Sequence, residues 1–206
     1  MNPLIPAKTA FIAVHLQNDI VDPKGAFGPI FAAEITRNRT LERANALLEG
    51  ARERGAAVAF VRVGFAEDYS DMLANVPLLA MGREAGALRN NTWGTEITPA
   101  VPPADADIVL THTRTSPFIA SPLDTLLRGR GVDTVVVLGV ATNASVEDCA
   151  RTAANLGYRT IIAAESSSAA ETSMHDATLA TFALFGETAT DAELLEALDA
   201  GAEVSA

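Results

Sequence analysis

Residues 134–138 (TVVVL) and 139–156 (GVATNASVEDCARTAANL) form the stretch of sequence that decides the fold. The first segment is an unbroken run of β-branched and aliphatic residues, which is typical of a strand buried on both faces. The second segment begins with a glycine-containing turn and continues as a helical pattern from Ala144 to Leu156. A buried strand that leads directly into a helix is the unit from which parallel α/β sheets are built.

The same alternation of strand and helix extends along the chain on both sides of this stretch. Apolar runs predict further strands at residues 10–14, 57–63, 107–111, 159–163 and 187–190. Helical patterns lie between them, at residues 36–54, 123–130, 174–185 and 191–198. Such an alternation forms right-handed βαβ units. We therefore expect an α/β fold, a three-layer doubly wound parallel sheet with helices on both faces, in a single domain that spans residues 1–206.

The composition limits the classes of partner. Of the 206 residues, 49% are hydrophobic, which is enough to bury a core. The 15 Lys and Arg residues against 26 Asp and Glu residues leave a net charge of −11, which disfavours nucleic acid. No apolar run approaches the ~20 residues of a membrane span. One cysteine, Cys149, allows no internal disulfide, and the first residues lack a signal-peptide pattern, so we expect a cytoplasmic protein without a membrane partner.

Polar residues follow three of the predicted strands, at the edge where ligands bind in parallel sheets. These segments are residues 15–19 (HLQND), 112–118 (HTRTSPF) and 139–147 (GVATNASVE). Two of them begin with a histidine, a residue type whose pKa near neutrality suits proton transfer. The sequence therefore predicts a functional site at this edge.

The chain resembles the isochorismatase-like hydrolases, a superfamily of cysteine hydrolases that includes nicotinamidases and carbamoylsarcosine amidohydrolases. The motifs that carry the resemblance occur in the same order and spacing as in the family: TAFIAVHLQND at residues 9–19, WGTEITP at 93–99, RTSPF at 114–118, LDTLLRGRG at 123–131 and GVATNASVEDCAR at 139–151. The resemblance implies the fold expected above, a small-molecule substrate, no cofactor, and a homo-oligomer, either a dimer or a tetramer.

The resemblance also implies a catalytic aspartate, lysine and cysteine at the positions where this chain has His15, His112 and Ser145. In the family pattern the cysteine attacks a carbonyl carbon, the aspartate takes its proton and the lysine orients the aspartate. A serine hydroxyl needs an adjacent base to become a nucleophile, and histidine is suited to that role. We expect Ser145 to be the nucleophile, His15 the general base and His112 an orienting group or acid.

Two backbone features are implied by the same resemblance. The N–H groups of Ala144 and Ser145 are expected to form an oxyanion hole, since a helix N-terminus stabilises a developing negative charge. A cis peptide that does not involve proline is expected between Val140 and Ala141. The bond to be cleaved is then an amide, an ester or a related carbonyl-type bond.

Five further side chains are candidates for substrate binding: Gln17, Asp19, Trp93, Arg114 and Phe118. For Gln17 and Asp19 the alternative is a role in bracing the loop, and Arg114 fits either a substrate carboxylate or a nearby acid. Segments 20–34 and 64–92 are expected to line the pocket. Their phenylalanines suit a small, weakly polar molecule; these are Phe27, Phe31 and Phe65.

Other interpretations remain open at this point. The chain fits a catalytically silent homologue that binds a small ligand or partner, or a lyase or isomerase that uses the histidines without a covalent intermediate. A divalent ion held by the two histidines and Asp19 is a third interpretation, although segment 64–91 contains no histidine and we expect no metal. We expect structural roles for Cys149 and His175.

Overall fold

A parallel sheet of six strands forms the centre of the computed structural model, which describes residues 1–205. The strands are β1 (Thr9–Val14), β2 (Ala57–Val63), β3 (Ile108–His112), β4 (Thr134–Val140), β5 (Arg159–Ser168) and β6 (Glu187–Ala189). Their order across the sheet is β3-β2-β1-β4-β5-β6, and every neighbouring pair is parallel. This confirms the doubly wound parallel sheet that the sequence predicts.

Eight α-helices connect the strands in the described residues. They are α1 (Asn18–Val21), α2 (Gly28–Asn38), α3 (Thr40–Glu53), α4 (Pro77–Glu84), α5 (Leu123–Gly129), α6 (Glu147–Asn155), α7 (Thr172–Phe182) and α8 (Asp191–Ser205). Single 3₁₀ turns lie at Pro6–Lys8 and Trp93–Thr95, and a π-helical turn at Thr142–Val146 leads from β4 into α6. Within residues 1–205 no helix is long and apolar enough to cross a membrane.

The helices form two layers because the sheet buries both of its faces. Successive side chains of a strand point to opposite faces, and in β1 Phe11 and Ala13 join one apolar cluster while Ile12 and Val14 join the other. Helices α2, α3 and α8 contribute to the first cluster. Helices α5, α6 and α7 contribute to the second. The result is the three-layer arrangement expected from the alternating pattern.

The strand order places a crevice between β1 and β4. From β1 the chain builds outward to β2 and β3, and it then returns to the other side of β1 to build β4, β5 and β6. In sheets of this kind ligands bind at the carboxyl ends of the strands where the order reverses. His15 directly follows β1, His112 ends β3, and Ser145 lies five residues after β4.

The helix expected over residues 36–54 is observed as α3 over Thr40–Glu53, while residues 36–38 belong to the preceding helix α2. Arg39 adopts a left-handed conformation with φ of 55°, which ends α2 and begins α3. No glycine or proline marks this break, so the sequence pattern runs through it. Three strands also extend beyond their expected ends, since β3 includes His112, β4 continues to Val140 and β5 continues to Ser168.

Gly139 is required for the close approach of β4 to β1. Its φ is +124°, and a Cβ atom at this position would lie 2.2 Å from the carbonyl oxygen of Val14. We expect Gly139→Ala to lower the free energy of unfolding by more than about 3 kcal/mol, because the backbone conformation and the contact are both unfavourable for alanine. Urea unfolding monitored by circular dichroism measures the loss.

Gly129 at the end of α5 provides the matched control. A Cβ atom there meets nothing within 4 Å, so Gly129→Ala should change stability by no more than about 0.5 kcal/mol in the destabilising direction. Equal stabilities of the two variants would contradict the role assigned to Gly139.

Candidate active site

His15 and His112 form a direct contact between their ring nitrogens. Nε2 of His15 lies 3.0 Å from Nε2 of His112, and the ring planes are inclined by 24° with centroids 5.0 Å apart. Both side chains are buried, with 3% and 2% of their surface exposed. Since β2 separates β1 from β3 in the sheet, the two rings meet across the end of the intervening strand.

The backbone of His15 turns sharply as β1 ends. Its φ is 54°, in the left-handed region, and its N–H donates to the carbonyl of Val61 at 2.9 Å. Non-glycine residues pay about 1–2 kcal/mol for this conformation, although histidine tolerates it better than most. Such residues occur often at functional sites, where the surrounding structure holds them in place.

Burial keeps both imidazoles neutral near pH 7. Loss of hydration lowers the pKa of His15 well below its ordinary value, and the charge of a protonated His112 would lower it further. Burial also lowers the pKa of His112 to about 4, although the backbone of Arg114 opposes the shift. In a contact between two neutral rings one Nε2 donates and the other accepts. The pair therefore holds a shared proton and no net charge.

The two rings have different surroundings. His15 lines a cavity. Its Nε2 contacts His112, and its Nδ1 makes no hydrogen bond within residues 1–205. His112 lies behind it, and its Nδ1 is buried without a hydrogen-bond partner of normal geometry. His15 is thus the histidine that can meet a ligand, and His112 is its support.

The cavity next to His15 has a volume of about 70 Å³. At ~10–15 Å³ per water, it has room for several waters or for part of a small organic molecule. Its walls are mainly aliphatic and aromatic side chains, among them Phe27, Phe31 and Leu79. The polar side chains that reach it are few; they are His15, Arg114, Thr115 and Ser145.

Ser145 lies on the wall of this cavity, within the π-helical turn that follows β4. It is 5% exposed, and the structure brings it to the same space as His15. Its Oγ makes no hydrogen bond to either histidine in the described part of the chain. The peptide bond between Val140 and Ala141 is cis, at the position implied by the resemblance.

The N–H of Ala144 is already used within the turn. It donates to the carbonyl of Ala141 at 3.1 Å, and the N–H of Val146 donates to the same oxygen at 3.1 Å. The oxyanion role of Ala144 stays a prediction, in which a ligand would share this N–H with the carbonyl of Ala141. The amide of Ser145 stays a prediction.

Gln17 and Asp19 do not line the cavity, because their side chains are bonded to the surrounding loops. Gln17 accepts from the N–H of Val63 at 2.8 Å and donates to the carbonyl of the same residue at 2.8 Å. Asp19 accepts from the N–H of Leu88 at 2.7 Å. These bonds tie the end of β1 to the neighbouring segments, which is the bracing role that the sequence left open for them.

The structure also places both remaining aromatic candidates away from the cavity. Trp93 is 48% exposed in its 3₁₀ turn, and Phe118 packs against Tyr158 in a core cluster, with ring centroids 5.9 Å apart. Phe65 is fully buried in the opposite cluster. Arg114 is the one substrate-binding candidate that reaches the cavity.

Two other residues have structural surroundings. Nδ1 of His175 lies 2.8 Å from Oγ1 of Thr142, so α7 holds the first residue of the π-helical turn. Cys149 is buried in α6, and burial raises the pKa of its thiol well above the ordinary value. In residues 1–205 no three His, Cys, Asp or Glu side chains converge as metal ligands would.

The wall of the cavity includes one helix and two residues that the sequence did not predict. Segment 64–104 has no clear periodicity, yet it contains α4, whose Leu78 and Leu79 form part of the wall. The proline at the start of α4 was the available signal, since proline is favoured in the first turn of a helix. Segments 20–34 and 64–92, which were expected to line the pocket, supply Ile20, Leu78, Leu79 and Leu88. The lining residues that sequence reasoning missed are Val63 and Thr115.

Comparisons with known proteins agree on one family. Residues 9–193 match the model of the isochorismatase domain. The chain is 34% identical over 168 residues to the uncharacterized isochorismatase family protein YecD of Escherichia coli O157:H7, which covers 82% of this chain and 84% of that protein. It is 32% identical over 197 residues to the ureidoacrylate amidohydrolase RutB of Methylobacterium radiotolerans, covering 88% of this chain and 76% of that one.

A solved structure has the same fold over nearly the whole length. The cysteine hydrolase from Pseudomonas syringae pv. phaseolicola 1448A superposes with a TM-score of 0.87 at 25% identity, covering 98% of this chain and 97% of that one. The isochorismatase family protein from Desulfovibrio vulgaris superposes with a TM-score of 0.79 at 26% identity, covering 93% and 96%.

The neutral state of His112 predicts a loss of stability at acid pH. Its pKa is lowered from 6.5 to about 4 in the folded protein, so between these values the unfolded chain binds the extra proton. The stabilising contribution is complete above pH 6.5 and is lost as the pH falls towards 4. The loss amounts to about 3 kcal/mol.

His112→Gln removes the titrating imidazole. The difference between the two proteins therefore separates the effect of His112 on the free energy of unfolding from the effect of the carboxylates. Urea unfolding of both proteins between neutral pH and about pH 4 should show the wild type losing more stability than the variant, by up to about 3 kcal/mol. Parallel pH profiles for the two proteins would mean that His112 is not held neutral by burial.

Proposed function

Because the chain belongs to the isochorismatase family, we propose that it is a hydrolase of small molecules with an amide, ester or related carbonyl-type bond, acting through His15, His112 and Ser145. The amidohydrolase RutB among its relatives supports the reaction class. The size and apolar walls of the cavity support a small, weakly polar substrate. The roles of these three residues are part of the proposal, because the resemblance implies an aspartate, a lysine and a cysteine at their positions.

One observation carries the proposal: His15 and Ser145 share a cavity, while His112 holds the far side of the His15 ring at 3.0 Å. We assign the Nε2–H to His15, so that it donates to Nε2 of His112 and leaves the lone pair of His15 Nδ1 free. A neutral imidazole with a free lone pair is the form that can act as a base. The lowered pKa of His15 keeps it in that form at neutral pH.

The reaction then follows the usual course of acyl transfer. Oγ of Ser145 attacks the carbonyl carbon as Nδ1 of His15 takes its proton, and the leaving group departs with that proton. Water attacks the resulting ester of Ser145 with the same histidine as base; the bond to Oγ then breaks, Oγ takes that proton back, and the acid is released. His112 accepts the hydrogen bond from His15 throughout and shares the positive charge that forms on it.

The missing hydrogen bond between Ser145 and His15 fits a free enzyme. The hydroxyl of Ser145 has no protein partner within residues 1–205 that would have to be broken before it turned towards Nδ1. Catalytic hydrogen bonds are often long before the substrate is bound. The same observation favours a second candidate, in which His15 acts directly on water or on a substrate proton and Ser145 only binds.

Substitution at the cavity tests the proposal. In a screen of small amides, ureido compounds and carboxylic esters, Ser145→Ala and His15→Asn should each lower kcat by about 10³-fold or more, since the nucleophile or its base is lost. Cys149→Ala is the control, because a buried thiol with a raised pKa takes no part and its variant should keep most of the activity. Wild-type inactivity on the whole panel would favour a silent, ligand-binding homologue.

Intact-protein mass spectrometry separates the two catalytic candidates. With a slowly released ester, the wild type should accumulate a covalent acyl group that the Ser145→Ala variant lacks. Turnover that persists in Ser145→Ala, with no acyl adduct on the wild type, would instead establish the non-covalent route through His15.

A further inference from the structure

Arg114 is the only permanently charged residue that lines the cavity, among the residues that the structure describes. The other lining residues are apolar, apart from the hydroxyls of Thr115 and Ser145 and the ring of His15. Burial lowers the pKa of that ring, so it adds no positive charge near pH 7. An apolar cavity with one cation at its wall is a site for a molecule with an apolar body and one anionic group.

No acidic side chain of the described residues 1–205 pairs with Arg114. Its guanidinium makes two hydrogen bonds in residues 1–205, both from Nη1 and both to neutral acceptors: the carbonyl of Leu73 at 3.2 Å and Oδ1 of Asn75 at 3.3 Å. The carboxylate of Asp148, on the neighbouring α6, accepts from the hydroxyl of Thr115 instead. The pairing of Arg114 with a nearby acid, which the sequence left open, is thus not observed within residues 1–205.

The unused donors of Arg114 have the geometry of a carboxylate site. With Nη1 anchored to the loop, Nε and Nη2 have no partner in the described chain. These two N–H groups form one edge of the planar guanidinium, and that edge matches the two oxygens of a carboxylate. The bonds from Nη1 fix the plane in advance, which reduces the entropy lost on binding.

From this arrangement we infer that Arg114 is the specificity residue for a substrate that carries a carboxylate, with an apolar body lying against Phe27, Phe31 and Leu79. The ligand is called a substrate on the basis of the proposed function, whereas the binding of a carboxylate by Arg114 does not depend on hydrolysis. The carbonyl group to be cleaved lies at the His15 and Ser145 side of the cavity, and the carboxylate lies at the Arg114 side.

Binding of matched probes tests the inference without any turnover. Isobutyrate, hexanoate and benzoate are each compared with the ketone in which a methyl group replaces one carboxylate oxygen. This ketone is uncharged and cannot be hydrolysed. By isothermal titration calorimetry we expect at least one carboxylate to bind the wild type about tenfold or more tightly than its ketone. If no carboxylate of the series binds better than its ketone, the inference is wrong.

Variants of the loop distinguish an anion site from a tether. Arg114→Gln should abolish the preference for the carboxylate and leave ketone binding nearly unchanged, while Arg114→Lys should keep part of it, since lysine keeps the charge without the fork. Asn75→Ala, which removes one anchor of Nη1, should keep most of the preference. A preference that survives in Arg114→Gln, or an equal loss in Asn75→Ala, would show that Arg114 only holds the loop.

The binding experiment on Arg114 and the hydrolysis screen can succeed or fail independently of each other. If hydrolysis is detected, Arg114→Gln should raise KM for anionic substrates with little change in kcat, and should leave neutral substrates unaffected. If no hydrolysis is detected, carboxylate binding that depends on Arg114 still stands, as the ligand class of a binding protein. Thermal unfolding of each variant verifies that it is folded.

Discussion

The close approach of β4 to β1 is the constraint on which the site depends. The two strands pair as far as Val14 and Gly139, and only a glycine fits beside the Val14 carbonyl at this point. Immediately beyond the contact the two strands diverge: β1 leads to His15, and β4 leads to the π-helical turn that contains Ser145. The cavity occupies the space between them, at the reversal of strand order where parallel sheets bind ligands.

Electrostatics in this cavity differ from those of a charged triad. Burial removes the charge from both histidines, so the contact between their Nε2 atoms is a hydrogen bond between neutral rings. Two neutral rings place no charge in the apolar site, so the cost of burying ions is avoided. The positive charge that remains belongs to Arg114, on the cavity wall and without an acidic partner.

The segment that follows β1 acts as a brace for the whole edge of the sheet. Gln17 bonds both backbone groups of Val63, Asn18 donates to the carbonyl of Trp93 at 2.8 Å, and Asp19 accepts from Leu88. Three consecutive side chains thus tie β1 to β2 and to the long loop. This explains how His15 is held in its left-handed conformation, and why the polar residues next to it are occupied with structure and not with a ligand.

The sequence by itself determined that the sheet is parallel and doubly wound, with helices on both faces. It also determined that His15, His112 and Ser145 follow the carboxyl ends of strands. Both could be predicted because hydrophobic periodicity and strand-to-helix alternation are local properties. It did not reveal the break at Arg39, since no residue type there signals a left-handed turn. Only the tertiary structure decided which polar side chains face the cavity. Asp19 and Arg114 are equally polar in sequence, but one is bonded to the amide of Leu88 and the other keeps two donors unused. That difference arises from contacts between segments about forty to seventy residues apart, which no local pattern encodes.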